Sequence, residues 1–151
     1  VTDKRLLIDA DACPRQALAI AQAFCRQKGW RCVTYASTNH QLTGPDHVTV
    51  DAEPQAVDMK IANDVRAGDV VVTQDTGLAA MVLGKRAKAL SPHGVIFDEA
   101  RILFQLEVRN EQARYRRSGG RTRGPAARTA EDDRRFERAL RACMEEGETY
   151  T

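Results

Sequence analysis

Residues 69–84 read DVVVTQDTGLAAMVLG. Three consecutive valines with no polar alternation predict a short strand buried on both faces. After TQD, Leu78, Met81 and Val82 recur at helical spacing, which predicts a helix with these three inward and Gly84 as its stop. Upstream, Pro54 opens another helix with Val57, Ile61 and Val65 on one face, ended by Gly68. Working outward, RLLID at 5–9 reads as a buried strand, and Pro14 suits the first turn of a helix with Ala17, Leu18, Ile20, Ala21, Phe24 and Cys25 in one stripe, stopped by Gly29. Further strands are predicted at 31–36, 48–50, 87–89 and 95–97, and a helix over 98–117. Strands alternating with helices predict an α/β fold: a single domain with a mostly parallel sheet flanked by helices.

The chain has 151 residues, 42% of them hydrophobic, which favours one core. Charge is unevenly spread. Residues 1–108 hold twelve Lys/Arg against thirteen Asp/Glu, whereas 109–128 hold seven arginines against Glu111 alone. A basic loop over 109–128, containing SGGRTRGP, is expected to precede a C-terminal helix over 129–147. Thr129 and Asp132 have capping-box spacing there, and Phe136, Leu140 and Cys143 or Met144 can dock it. Such asymmetry points to phosphate or nucleic acid as a partner. Cys13, Cys25, Cys32 and Cys143 show no CxxC spacing, so neither a zinc site nor a disulfide framework is expected. No signal peptide or membrane-spanning run is seen, and the expected location is cytoplasmic. The opening Val1 suggests that the initiating methionine is missing.

Asp9 and Asp11 follow the first strand, Asp75 follows VVVT, and Asp58 lies early in the helix leading to it. Ligands of open α/β sheets bind beyond the carboxyl ends of strands. Carboxylates converging there repel, and a hard divalent cation, Mg²⁺ or Mn²⁺, would let them stay ionised together. The plainer alternative is a helix cap for Asp75 and a solvated position for Asp58. Asn39 and His40 follow the second strand and reach the same rim, as substrate contacts or loop caps. His47 and His93 read as structural or exposed. Cys13 stands at a helix start that favours a thiolate, but packing is its expected role. Arg114, Arg116, Arg117, Arg121 and Arg123 flank two glycines and suit phosphate contact, with a solvated basic loop as the alternative. Tyr115 is the one aromatic in that run, which limits base stacking there.

DADACP at 9–14, AVDMKIANDVRAGDVVVTQDTGLAAMVLGK at 56–85, and SGGRTRGP followed by RTAEDDRRF resemble the YaiI/YqxD family of uncharacterised bacterial proteins, over nearly the whole chain. The resemblance implies a PIN-like fold, that of metal-dependent ribonucleases. PIN toxins carry an acid on a helix, an Ile three residues on, and a strand ending in T-x-D. Asp58, Ile61, Thr73 and Asp75 fit that pattern, and Asp9 fits the acid ending the first strand. The resemblance thus implies Asp9, Asp58 and Asp75 as metal ligands and catalytic residues, with Asp11 as an addition; Thr73, within the same pattern, and Asn39, from its place at the rim, are the expected substrate contacts. A further PIN acid has no clear counterpart; Asp51 and Glu53 are the candidates.

Three functions follow as expectations. The first is a Mg²⁺- or Mn²⁺-dependent nuclease acting on RNA in preference to DNA, with the arginines holding the backbone. The second is a noncatalytic RNA-binding module. The third is a haloacid-dehalogenase-like phosphatase with Asp9 as nucleophile and Thr73 and Lys85 in later motifs.

Overall fold

Leu6, Leu7 and Ile8 are fully buried because their strand, β1 (Arg5–Asp9), is central in a five-stranded sheet. The other strands are β2 (Arg31–Ser37), β3 (His47–Val50), β4 (Val70–Val72) and β5 (Lys88–Leu90). They lie in the order β3-β2-β1-β4-β5, and every pair is parallel. This computed structural model describes residues 4–37, 46–51, 53, 55–120 and 127–145.

Alternation along the strands divides the core. Leu6, Ile8, Val70 and Val72 face α1 (Arg15–Lys28) and α5 (Ala130–Glu145), meeting Phe24, Phe136 and Leu140. Leu7, Val33, Tyr35 and Val71 face α2 (Ala56–Asp64) and α3 (Thr76–Gly84), together with Ile102 from α4 (Glu99–Arg117). The α/β expectation holds, with a sheet that is parallel throughout. The capping box also forms: Thr129 N–H donates to Asp132, and Asp132 N–H to the Thr129 hydroxyl.

Several details differ from the sequence reading. Pro54, expected to open the second helix, lies outside the described residues; α2 starts at Ala56 and does not run to Gly68 but stops at Asp64, and Val65 is extended. Asp69 captures the Arg66 N–H at 2.8 Å and is held by Arg5, which diverts the backbone into a turn. Residues 95–97 form only an Ile96 bridge to Leu90, not a strand. Met81 is 48% exposed, because Leu78, Ala79 and Val82 define the buried face of α3 and Met81 lies about a third of a turn from it. The basic segment is not a loop throughout: residues 109–117 are the end of α4, and Ser118 caps it. The last helix ends at Glu145 among the described residues.

Candidate active site

Strand order reverses between β1 and β4, which opens a crevice at their carboxyl ends, where ligands of such sheets bind. Asp9 closes β1 there and is only 5% exposed. Thr73, one residue past β4, joins the acids: its hydroxyl donates to Asp9 Oδ2 at 3.1 Å and accepts the Asp75 backbone N–H at 3.0 Å. Asp75 is the N-cap of α3, accepting the Leu78 N–H at 2.9 Å, as its plainer reading required. Capping engages one oxygen only, and the Asp75 carboxyl also lies near Asp58, from the first turn of α2, whose carboxyl it helps push up. Asp11 sits in a 3-10 turn (Ala10–Ala12) formed where the chain leaves β1, and accepts the Ser37 N–H at 2.9 Å.

Electrostatics mark the cluster. Burial raises the Asp9 carboxyl from 3.8 to about 6; the Thr73 hydroxyl opposes this, and the charges of Asp11 and Asp75 add to it. Asp58 is pushed up to about 7, first by burial, then by its hydrogen bond and repulsion with Asp75, then by Asp9. Among the described residues, the charged groups acting on both are carboxylates. A cleft of about 310 Å³ opens beside them, lined by Asp9, Asp11, Ser37, Glu53, Gln55 and Asp58 among others.

The structure thus brings Asp9, Asp11, Asp58, Thr73 and Asp75 to one edge. Of the two candidates for a further acid, Glu53 lines the cleft and Asp51 does not. Arg114, Arg116 and Arg117 stay on the exposed end of α4, Arg114 paired with Glu111 and both Arg114 and Arg117 lining a separate hollow. Asn39, His40, Arg121 and Arg123 lie outside the described residues. Lys85 does not reach Asp9: it caps the opposite end of α3 and donates to the Ala62 carbonyl. Cys13 is no thiolate, since burial holds its thiol up to about 12. His47 Nδ1 bonds the Thr34 hydroxyl at 2.7 Å, which is structural. Sequence reasoning passed over Gln74, whose amide donates to the Ala12 carbonyl at 2.6 Å and ties the TQD turn to the Asp11 turn. It also missed Ser37 and Gln55. Gln55 carries φ +66, a left-handed conformation with no signal in its residue type.

Whether these donors suit a metal turns on their number and type. Among the described residues, no three His, Cys, Asp or Glu side chains form a ready-made cage. The acids stand instead as the Asp58–Asp75 pair beside buried Asp9. An all-oxygen set of that size suits Mg²⁺ or Mn²⁺, which retain waters and use one or two protein carboxylates. No helix among the described residues is long and apolar enough to cross a membrane.

The family model described as "Uncharacterized BCR, YaiI/YqxD family" matches residues 7–146. A UPF0178 protein of Heliobacterium modesticaldum is 48% identical over 142 residues, covering 94% of this chain and 97% of its own. A UPF0178 protein of Clostridium kluyveri is 44% identical over 148 residues, covering 97% and 96%. One from Exiguobacterium sibiricum is 36% identical over 144 residues, covering 94% and 97%. No solved structure matches the chain. With a family model spanning nearly its whole length and relatives aligned end to end, the chain belongs to the uncharacterised YaiI/YqxD family.

Proposed function

We propose that this protein is a divalent-metal-dependent nuclease, acting on RNA in preference to DNA. The observation that carries the reading is the meeting of Asp9, Asp58 and Asp75 at the reversal of strand order, where the charges of the described residues acting on Asp9 and Asp58 are those of other carboxylates. The match of Asp9, Asp58, Ile61, Thr73 and Asp75 to the PIN pattern supports it. Asp58 and Asp75 would hold Mg²⁺ or Mn²⁺, with Asp9 on the buried side and Asp11 and Glu53 at the cleft wall. A bound ion would supply Lewis acidity toward a phosphoryl oxygen and acidify water. The chain's own residues do the positioning: Thr73 orients Asp9 and fixes the Asp75 backbone, which ties the end of β1 to the turn after β4. The arginines of α4 supply phosphate contacts.

The phosphatase reading loses support from Lys85, which is bound to Ala62. The test is cleavage of a labelled pool of single-stranded and hairpin RNA with Mn²⁺, with EDTA, and with Asp75→Asn. Cleavage that needs Mn²⁺ and is lost in the variant is expected. Cleavage persisting in EDTA or in the variant refutes the reading. RNA bound without any turnover shifts it to the noncatalytic module.

A further inference from the structure

α4 is 19 residues long, yet Ile102 is its one fully buried side chain. Phe104 is 66% exposed. Together with exposed Val108 and Tyr115 it makes an apolar strip on the helix, and such a strip beside a groove marks a ligand contact. Beside it runs a groove of about 380 Å³ whose wall includes Gln74, Thr76, His93, Phe104, Gln105 and Arg109. Gln74 and Thr76 flank Asp75 in sequence, so the groove starts one residue from the carboxylate edge. The Thr76 hydroxyl donates to the Gln105 side-chain Oε1 at 3.4 Å, which joins the two walls.

At about 100° per residue, one side of α4 carries Arg101, Phe104, Val108, Gln112, Tyr115 and Arg116 in succession, with Gln105 and Arg109 beside them. Glu99 and Glu107 turn away from this side, and Glu111 at its border is engaged by Arg114. Arg101 and Arg109 make no ion pair among the described residues, unlike Arg134, Arg138 and Arg141 on α5. Aromatic faces interleaved with guanidinium groups and amides match the needs of an unpaired nucleotide strand: stacking, phosphate neutralisation and edge hydrogen bonds. The aromatic shortage seen in residues 109–128 alone is thus met by Phe104, one turn upstream.

We propose that this groove takes an unpaired base of a single-stranded RNA, stacked on Phe104, while Arg109 contacts the adjoining phosphate and the strand runs on to the carboxylate edge. This inference rests on the nuclease reading and adds where the strand lies and why it must be single. Duplex RNA, whose bases are already stacked, gains nothing from Phe104.

Fluorescence anisotropy tests it, with the full chain in EDTA at low salt and a labelled single strand of about 12 nucleotides. Phe104→Ala should weaken binding about tenfold, the value of one base–aromatic stack. Phe104→Tyr should retain affinity. Leu103→Ala, equally exposed but on another side of α4, should match wild type. Arg109→Ala should make the salt slope shallower by about 0.7, one phosphate contact on a single strand. Duplex affinity should be the same for Phe104→Ala and wild type. Single-strand binding that ignores Phe104 overturns the groove and leaves the nuclease reading standing. No single-strand binding by wild type overturns the groove, and overturns the nuclease reading as well only if Mn²⁺-dependent cleavage of the same strand is also absent. Joint loss of affinity in Leu103→Ala and Phe104→Ala, with a dimer turning to monomer in sedimentation, overturns the groove and makes α4 an interface between copies.

Discussion

Replacing Asp58 by asparagine makes permanent the neutral form that its surroundings already favour. The asparagine side chain keeps the volume and can donate its amide to Asp75 as the protonated acid does. The wild-type carboxyl moves from 3.8 to about 7 in the fold, and each unit of difference is worth about 1.4 kcal/mol, a ceiling of ~4 kcal/mol. Asp58 is partly exposed, and solvent screening takes about half of that. Asp58 also lies in the first turn of α2, where a negative charge contributes about 0.5 to 1 kcal/mol with the helix dipole. About 1 kcal/mol of net stabilisation remains for the variant. Its sign with pH follows from linkage. A carboxyl raised on folding favours the native state while protonated; that contribution is complete below about pH 4 and lost as pH rises through about 7. In EDTA at pH 8 the variant should therefore melt about 3 °C above wild type, and at pH 5 the gain should vanish or reverse. Urea titration at both pH values measures the same difference. Saturating Mn²⁺ should invert the order at pH 8, since wild type gains about 3 kcal/mol at a hundredfold excess over Kd and the variant, lacking one ligand, gains less. A variant less stable than wild type at pH 8 without metal, or a gap equal at pH 5 and pH 8, refutes the argument.

Two further outcomes test the frame that holds the site. Gly94 has φ +88, and a Cβ there would stand 2.6 Å from the Arg135 backbone of α5; Gly94→Ala should cost about 2 kcal/mol and lower the melting midpoint by roughly 5 °C. An unchanged midpoint would mean that α5 does not pack tightly on this turn. Asp69→Asn should cost about 3 kcal/mol by urea titration, because Asp69 is buried and takes two bonds from Arg5 besides the Arg66 N–H. A loss under about 1 kcal/mol would mean that water reaches Arg5 and replaces the pair.

The strands were readable where burial on both faces suppresses alternation, as in Val70–Val72, and Asp9 and Asp75 were readable because each follows such a run, whereas Asp58, on a helix, follows none and was singled out chiefly by the family pattern. Their convergence was not readable from spacing alone. It depends on β1 pairing with β4, a choice made by the whole core. The end of α2 was misplaced because Asp69 and Arg5, distant in sequence, form the turn that replaces its last turn. Phe104 was hidden for the opposite reason: an apolar residue in a helical pattern reads as core, and only the packing shows that α4 presents little more than Ile102 to the sheet.

Thr73 bonds Asp9 across 64 residues of chain. Central β1 is made early and cannot acquire its β4 partner until residue 72 is available, so the sheet closes through a long loop with a large entropic cost. Folding is expected to be slow for a chain of this size, and β1 must spend that interval with the N–H and C=O groups of one edge unpaired. The same closure brings Asp9 against Asp58 and Asp75, so their repulsion arises only once the two central strands have joined. A cation present during refolding should then act mainly on the rate of unfolding, leaving the early pairing of β1 with β2 unchanged.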